Sequence, residues 1–412
     1  LTYQNGETKT IVTDNTWKTL DGTAAYGEGE ASIGTSYFTA MAENIDARVF
    51  PYGWSEPGFD DSKWLAPVVK DRITNLIPTP TDPVLEHEIK PAKIVDKGNG
   101  SFFIDMGVEL VGGVRLTLDL EGVSGTDLTM LYGEELSGTN SVRWQMRTGN
   151  KYREFWTLTD GKQVFEPFGM MNFRYVEIQG CPESITKEVL ENSLVGVSMY
   201  QKFDESESYF VSDNELLNDI YQFAKNSIRV TTQDLFVDSQ SRERGPYEGD
   251  AYVNQLTSYS FSRNYTVARF TNEFMAYHPE WCTEYQQENA MSFYQDYLYT
   301  GNKHSVAAFY DKIKTKVLSN KYDSNVQMIK TNTGNDLVDW PAGERDGYTV
   351  GTSNPYNTAI NAFNYQAAVN VAEIAKVLGN TEDAAYYTTL VEKIKSVLAP
   401  RMEVGGQAVL GR

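Results

Sequence analysis

The residues best suited to chemistry lie in one short segment, Asp238-Ser-Gln-Ser-Arg242-Glu243-Arg244-Gly-Pro-Tyr247-Glu248-Gly-Asp250. Four carboxylates and two guanidiniums fall within thirteen residues, and Gly245, Pro246 and Gly249 shape a tight loop around them. Such a set can do general acid–base work. A carboxyl that is buried or crowded by other carboxylates keeps its proton to neutral pH, and an arginine holds its neighbour ionised. The same residues would equally serve a solvated salt-bridge loop between helices. A second segment, Asp336-Leu-Val-Asp339-Trp340-Pro341-Ala-Gly-Glu344-Arg345-Asp346-Gly347-Tyr348, interrupts a helical pattern for many residues. Loops that long are usually functional or disordered, and the Trp and Tyr content argues against disorder. Trp340 and Tyr348 could stack on a sugar ring while the acids bind its hydroxyls, or Trp340 could plug the top of a helical core. His278-Pro-Glu280-Trp281-Cys282-Thr-Glu284-Tyr285 is a weaker third candidate with similar chemistry.

Composition narrows the partners. The charge is −20, from 36 Lys+Arg against 56 Asp+Glu, and so acidic a surface repels phosphate backbones and anionic membranes. No apolar run approaches the ~18 residues that cross a bilayer. Two cysteines make no disulfide framework, and three histidines far apart in sequence make a His-rich metal centre improbable. No cofactor is expected. Aromatic residues are 13% of the chain, with 26 Tyr and 7 Trp. Acidic, aromatic-rich and poor in metal ligands, the composition leans toward carbohydrate chemistry, in which carboxylates cleave glycosidic bonds.

The elements that must position these segments change character near residue 204. Before it, short alternating runs are separated by Gly, Asp and Asn clusters. Val114, Leu116, Leu118 and Leu120 alternate with polar residues, Leu128 to Tyr132 forms another apolar run, and Arg174, Val176 and Ile178 alternate again before Gly180. These predict two β-sandwiches, divided near residue 92 (1–92 and 93–203), with Ile77-Pro-Thr-Pro-Thr-Asp-Pro83 as a linker or edge crossing. The opening Leu1-Thr-Tyr-Gln-Asn-Gly reads as a strand entering a turn.

From 204 to 412 the period is helical. Ser212 and Glu215 form a capping box, with Leu216, Leu217, Ile220, Phe223 and Ala224 following as an apolar stripe. Further helices are predicted at about 250–263, 266–278, 290–300, 303–318, 356–378 and 381–399. The 356–378 stripe ends at Gly379, Thr381 caps the last helix, and Pro400 stops it.

With these elements in place, the motifs resemble a known family, the bacterial α-L-rhamnosidases of glycoside hydrolase family 78. Asp238…Arg242-Glu243-Arg244…Tyr247-Glu248-Gly249-Asp250 resembles that family's D-x-P-Q-R-E-R-x-G-W-x-G-D signature. Asp46-Ala-Arg48…Gly53-Trp54…Phe59-Asp60-Asp61-Ser-Lys-Trp64 is similar to its N-terminal sandwich. Phe103-Ile-Asp105-Met-Gly107, Tyr132-Gly133-Glu134 and Phe168…Asn172-Phe173-Arg174-Tyr175-Val176-Glu177 resemble the next sandwich. Tyr297…Tyr299-Thr300-Gly301-Asn302 and the 356–399 helix pair resemble early hairpins of its (α/α)6 barrel. The resemblance runs over nearly the whole chain in the right order.

The resemblance implies removal of terminal α-L-rhamnose from an oligosaccharide, polysaccharide or glycoside by an inverting single displacement. The acid and the water-activating carboxylate would stand ~6.5–9.5 Å apart. Glu243 matches the general acid; Asp238, Arg242 and Asp250 match residues that hold the sugar hydroxyls and tune it. Tyr247 stands where the family has Trp. Trp340, with Asp339 and Asp346, is expected to wall the sugar pocket. Ser239-Gln240 replaces the signature's Cys-Pro, Pro246 takes a Gly place, and Glu248 adds a charge and rivals Glu243 for the acid role.

About seven helices are expected against the twelve of such a barrel, and no position matches the family's catalytic base. The sequence is therefore expected to begin inside, and be one part of, a longer polypeptide, inactive alone. The alternative reading is a carbohydrate-binding protein without catalysis. Either a cytoplasmic or a periplasmic or extracellular location in a bacterium fits, and no oligomeric state is implied.

Overall fold

The computed structural model describes residues 1–26, 33–34, 42–70, 76–206, 208–331, 336, 355–401, 403–404 and 407–408. The chain divides into two units, Leu1–Thr79 with Glu86–Met199, and Pro80–Leu85 with Tyr200–Arg412. The Pro-rich stretch 77–83 is where the chain first passes from one to the other.

The strands of the first unit are β1 Ile45–Asp46, β2 Val84–Ile89, β3 Lys93–Gly98, β4 Ser101–Leu120, β5 Asp127–Gly133, β6 Leu136–Gly138, β7 Ser141–Val142, β8 Arg153–Thr157, β9 Gly161–Phe165, β10 Met171–Gln179 and β11 Leu194–Gln201. A short helix, α1 Lys187–Ser193, precedes β11. The order β1-β8-β5-β10-β4-β11-β2 runs through the main sheet, with β3 and β9 also on β4. Strand β4 joins the two halves. Ile104 pairs with Ile94 and Val176, whereas Leu116, further along, pairs with Leu194 and Phe165.

Twenty residues of straight strand would reach ~66 Å, so β4 must bend to keep both halves on one core. It does so around Gly107 and Gly112, at φ +80° and +148°. A Cβ on Gly112 would lie 2.0 Å from the Val197 carbonyl oxygen, so the close strand approach there admits only glycine. Buried rings fill the core, Trp156 against Phe165 at 5.5 Å and, between neighbouring strands, Tyr132 against Phe173 at 5.1 Å. Each fully buried aromatic ring contributes about 1.5–3 kcal/mol through its removal from water.

The alternating runs 114–120, 128–132 and 174–178 lie in β4, β5 and β10, as their period of two requires. Among the described residues of 1–92, pairing is sparse and partly shared with the larger sheet. They make isolated bridges (Thr2 with Thr8, Thr19 with Leu65, Tyr26 with Ile45), while β1 and β2 join the larger sheet. Val12, Leu65 and Val68 are exposed.

The second unit is helical: α2 Glu215–Val230, α3 Glu248–Tyr259, α4 Thr266–Tyr277, α5 Thr283–Thr300, α6 Lys303–Ala308, α7 Tyr310–Thr315, α8 Thr358–Leu378 and α9 Thr381–Leu398. Helix α5 packs between α3 and α8, and α9 folds back on α8. The stripe Ile360, Ala367, Val371, Ile374 and Ala375 is buried with Leu390, Ile394 and Leu398, and Gly379 ends α8 at φ +76°.

Three local expectations shift. Asn214 rather than Ser212 caps α2, accepting from Leu216 N–H at 3.0 Å, while Ser212 Oγ accepts from Asn214 N–H. Asn380 rather than Thr381 caps α9. The single helix expected at 303–318 breaks at Phe309, whose ring packs on Phe293 and Tyr277. The larger change concerns α2: Leu216, Ile220 and Phe223, expected to face a core, are exposed, and the helix buries Lys225 and Ile228 instead.

Between α3, α4, α5 and α8 the interior is unusually polar. Asn272 donates to Gln255 (3.1 Å), Asn289 to the Asn272 carbonyl (3.1 Å) and Gln287 to Asn364 (3.4 Å). Paired side chains of this kind fix the rotation of one helix against the next, because any other register strands a buried amide.

Candidate active site

Helices α3, α5 and α8 each follow one of the three polar segments singled out in the sequence, and hydrogen bonds tie those segments together at one end of the helices. Backbone N–H of Glu280, just before α5, donates to both carboxylate oxygens of Glu248, the first residue of α3 (3.3 Å each). Thr283, opening α5, donates through Oγ1 to Asp336 at 2.6 Å. Gly249 is required by this convergence: a Cβ there would lie 2.6 Å from the Tyr285 ring and 2.7 Å from Glu288 Oε2.

The 238–247 loop is pinned at its ends. Asp238 N–H donates to the Gly245 carbonyl at 2.9 Å, and Gly245 N–H returns a bond to Asp238 Oδ1 at 3.0 Å. Arg244 completes the turn in the left-handed region, at φ +54°, a conformation that costs an ordinary side chain about 1–2 kcal/mol. Its Nε offsets part of that cost by donating to the Gln240 carbonyl.

Within this loop the Asp238 and Glu243 carboxyls hydrogen-bond to one another, so their protonation is linked. Burial, and then the hydrogen bond to Glu243, push Asp238 up to about 6. Burial also acts to raise Glu243, yet that carboxyl lies below its ordinary value because Arg242 Nε and Asp238 both hydrogen-bond to it. Of the two, Asp238 is the one held toward protonation and Glu243 the one held toward ionisation. The resemblance gives the acid role to Glu243; in the structure Arg242 turns back onto that next residue, and burial raises Asp238 instead.

Tyr247 precedes α3 amid a ring of acids. Burial, then Glu280, Asp238, Glu243 and Asp250, push its phenol up to about 12, and its ring meets Tyr285 edge-on at 6.5 Å. Glu280, only part of a weaker candidate in the sequence, is thus a member of the cluster, and burial raises its pKa. Glu248 has a different place. Its side chain is fully buried, 3.8 Å from Lys316 Nζ, and burial pushes it up to about 7. Both its oxygens accept from Glu280 N–H, so it ties the start of α3 to the residues before α5. Lys316 escaped the sequence reading, although a lysine between Ile313 and Val317 on one helical face was a signal. Trp340, Asp339 and Asp346 lie outside the described residues.

Carboxyls on loops that gather at one end of stacked helical hairpins define a helical-hairpin architecture. The family models agree. Residues 205–288 and 275–401 match the bacterial α-L-rhamnosidase six-hairpin glycosidase domain, 1–95 the α-L-rhamnosidase N-terminal domain, and 96–200 the bacterial α-L-rhamnosidase concanavalin-like domain.

Among curated proteins, an α-L-rhamnosidase of Streptomyces avermitilis is 28% identical over 201 residues, 46% of this chain and 18% of the relative. Among solved structures, α-L-rhamnosidase from Dictyoglumus thermophilum superposes with TM-score 0.74 at 21% identity, over 98% of this chain and 46% of that one. The Streptomyces avermitilis α-L-rhamnosidase complexed with L-rhamnose gives 0.73 at 21%, over 98% and 39%. The chain thus spans less than half the length of these relatives. It belongs to the α-L-rhamnosidases of glycoside hydrolase family 78.

Proposed function

We propose that this chain carries the proton-donating part of a glycoside hydrolase that removes terminal α-L-rhamnose from glycans or glycosides. The observation that carries the reading is the hydrogen-bonded Asp238–Glu243 pair, with Arg242 on Glu243, where the polar loops gather. The rhamnose bound by the Streptomyces relative supports the choice of sugar.

In this reading Asp238 passes its proton along the shared hydrogen bond to Glu243 as the sugar displaces water. Glu243 gives it to the departing glycosidic oxygen, and the pair regains one proton from solvent. Asp250 and Arg242 hold hydroxyls. Asp339, Trp340 and Asp346 wall the sugar, on a segment anchored at Asp336. Inversion follows if a second carboxylate activates water on the opposite face, ~6.5–9.5 Å away; no residue here is assigned to that role. The boundaries 92 and 203 are kept for the two β regions, ahead of the partial barrel from 204.

The test is leaving-group dependence in the full-length protein. A general acid contributes about 10²–10⁴-fold, so Glu243→Gln should lose that factor on a rhamnosyl disaccharide and far less on an aryl rhamnoside whose phenolate leaves unaided. An equal loss on both substrates refutes the acid role. Turnover should fall as pH rises past about 6, where Asp238 gives up its proton. Proton NMR of the first-formed anomer decides inversion. Tight sugar binding with no turnover would favour the non-catalytic reading.

A further inference from the structure

The β-sheet unit holds a cavity of about 730 Å³, lined by none of the acid-cluster residues and inside the size range of small-ligand sites. Two rings stand at its edge with their faces open: Trp54 is 53% exposed and Phe168 is 79% exposed. Large aromatic side chains left in water beside a concavity are unusual for a surface that serves packing alone. Tyr52 and Phe50 continue the wall, 4.8 Å apart, and the Tyr52 hydroxyl is fixed by donation to the Val164 carbonyl at 2.9 Å.

Polar groups are held ready on the other side. Arg115 Nε donates to Glu166 at 2.7 Å and its Nη2 to Glu86 at 2.8 Å, which leaves carboxylate lone pairs directed outward as acceptors. The walls are rigid. Glu43 accepts from the backbone N–H of Phe168 (2.9 Å) and of Gly169 (2.6 Å), clamping the turn that presents Phe168. Trp54 sits in a turn closed by its N–H to the Pro51 carbonyl at 3.1 Å, with Gly53 at φ +80°.

We propose that this cavity is a second carbohydrate-binding site, which takes a neutral pyranose stacked on Trp54 and Phe168 with its hydroxyls donating to Glu86 and Glu166. The chemistry selects this ligand. Aromatic faces suit the C–H face of a sugar ring, and carboxylates already tied to Arg115 accept hydroxyl protons. An anion would meet Glu56, Glu86 and Glu166 together, and a cation is the competing occupant that the test below must separate from a sugar. The choice of rhamnose as the probe rests on the glycosidase reading; the site itself does not.

The test uses the chain labelled with ¹⁵N at its seven tryptophans. The indole resonance absent from Trp54→Phe identifies Trp54, and the other six report that each variant is folded. On titration with methyl α-L-rhamnopyranoside, the Trp54 resonance should move and saturate. Phe168→Ala should weaken the response at least tenfold, and Glu243→Gln and Asp238→Asn should leave it unchanged. No movement up to roughly 100 mM sugar, movement with tetramethylammonium in place of sugar, or loss of the response in the Glu243 or Asp238 variants overturns the inference. A Trp54 response in a full-length protein that hydrolyses no rhamnoside supports the site while refuting the proposed activity.

Discussion

Glu154 gives the most quantitative check on the β-sheet unit. It lies on β8 with no side-chain exposure, accepts from Glu43 N–H at 2.9 Å, and sits beside the Tyr132 phenol. Burial, opposed by the Glu43 N–H and reinforced by the Glu43 charge, pushes its carboxyl from 4.5 up to about 8. The sign follows from linkage. Between pH 4.5 and 8 the unfolded chain releases a proton that the folded chain keeps, so stability falls as pH rises, by about 1.4 kcal/mol per pH unit, and then levels off.

Glu154→Gln has nearly the same shape and does not titrate. Its advantage over the native residue should be near zero at about pH 4.5 and grow to the order of 3–5 kcal/mol at pH 8. Urea unfolding of both proteins at several pH values, followed by tryptophan fluorescence, measures it. Parallel stability curves across that range would refute the reasoning, as would a variant less stable than wild type at pH 8. The outcome bears on the inferred sugar site, because Glu154 fixes the backbone of Glu43 and Glu43 clamps the Phe168 turn.

Three further outcomes can be checked. Asn214→Ala should cost about 1 kcal/mol in thermal or urea unfolding, and Ser212→Ala clearly less, which separates the observed cap from the one the sequence suggests. Gly112→Ala should cost about 3 kcal/mol or more, or abolish soluble yield, since the new methyl meets the Val197 carbonyl. Arg269→Met removes two bonds of 2.9 and 3.1 Å to buried Asp296, and should cost about 3–5 kcal/mol at neutral pH. Adding Asp296→Asn should recover part of that loss.

What the sequence by itself determined is local or periodic. The strands around 114–120, 128–132 and 174–178, the paired helices closing at Gly379 and Pro400, and the family signature at 238–250 were all legible there. Hydrophobic period and turn residues act over a few positions along the chain. The tertiary structure decided what depends on neighbours remote in sequence. It bent β4 so that Ile104 and Leu116 serve different halves of one sheet, and it left the α2 stripe of Leu216, Ile220 and Phe223 exposed. It also brought Glu280 and Lys316 to Glu248 and raised Asp238 while Arg242 held Glu243 down. Where a proton resides depends on burial and on which charges lie within a few ångströms, and spacing along a sequence does not encode either.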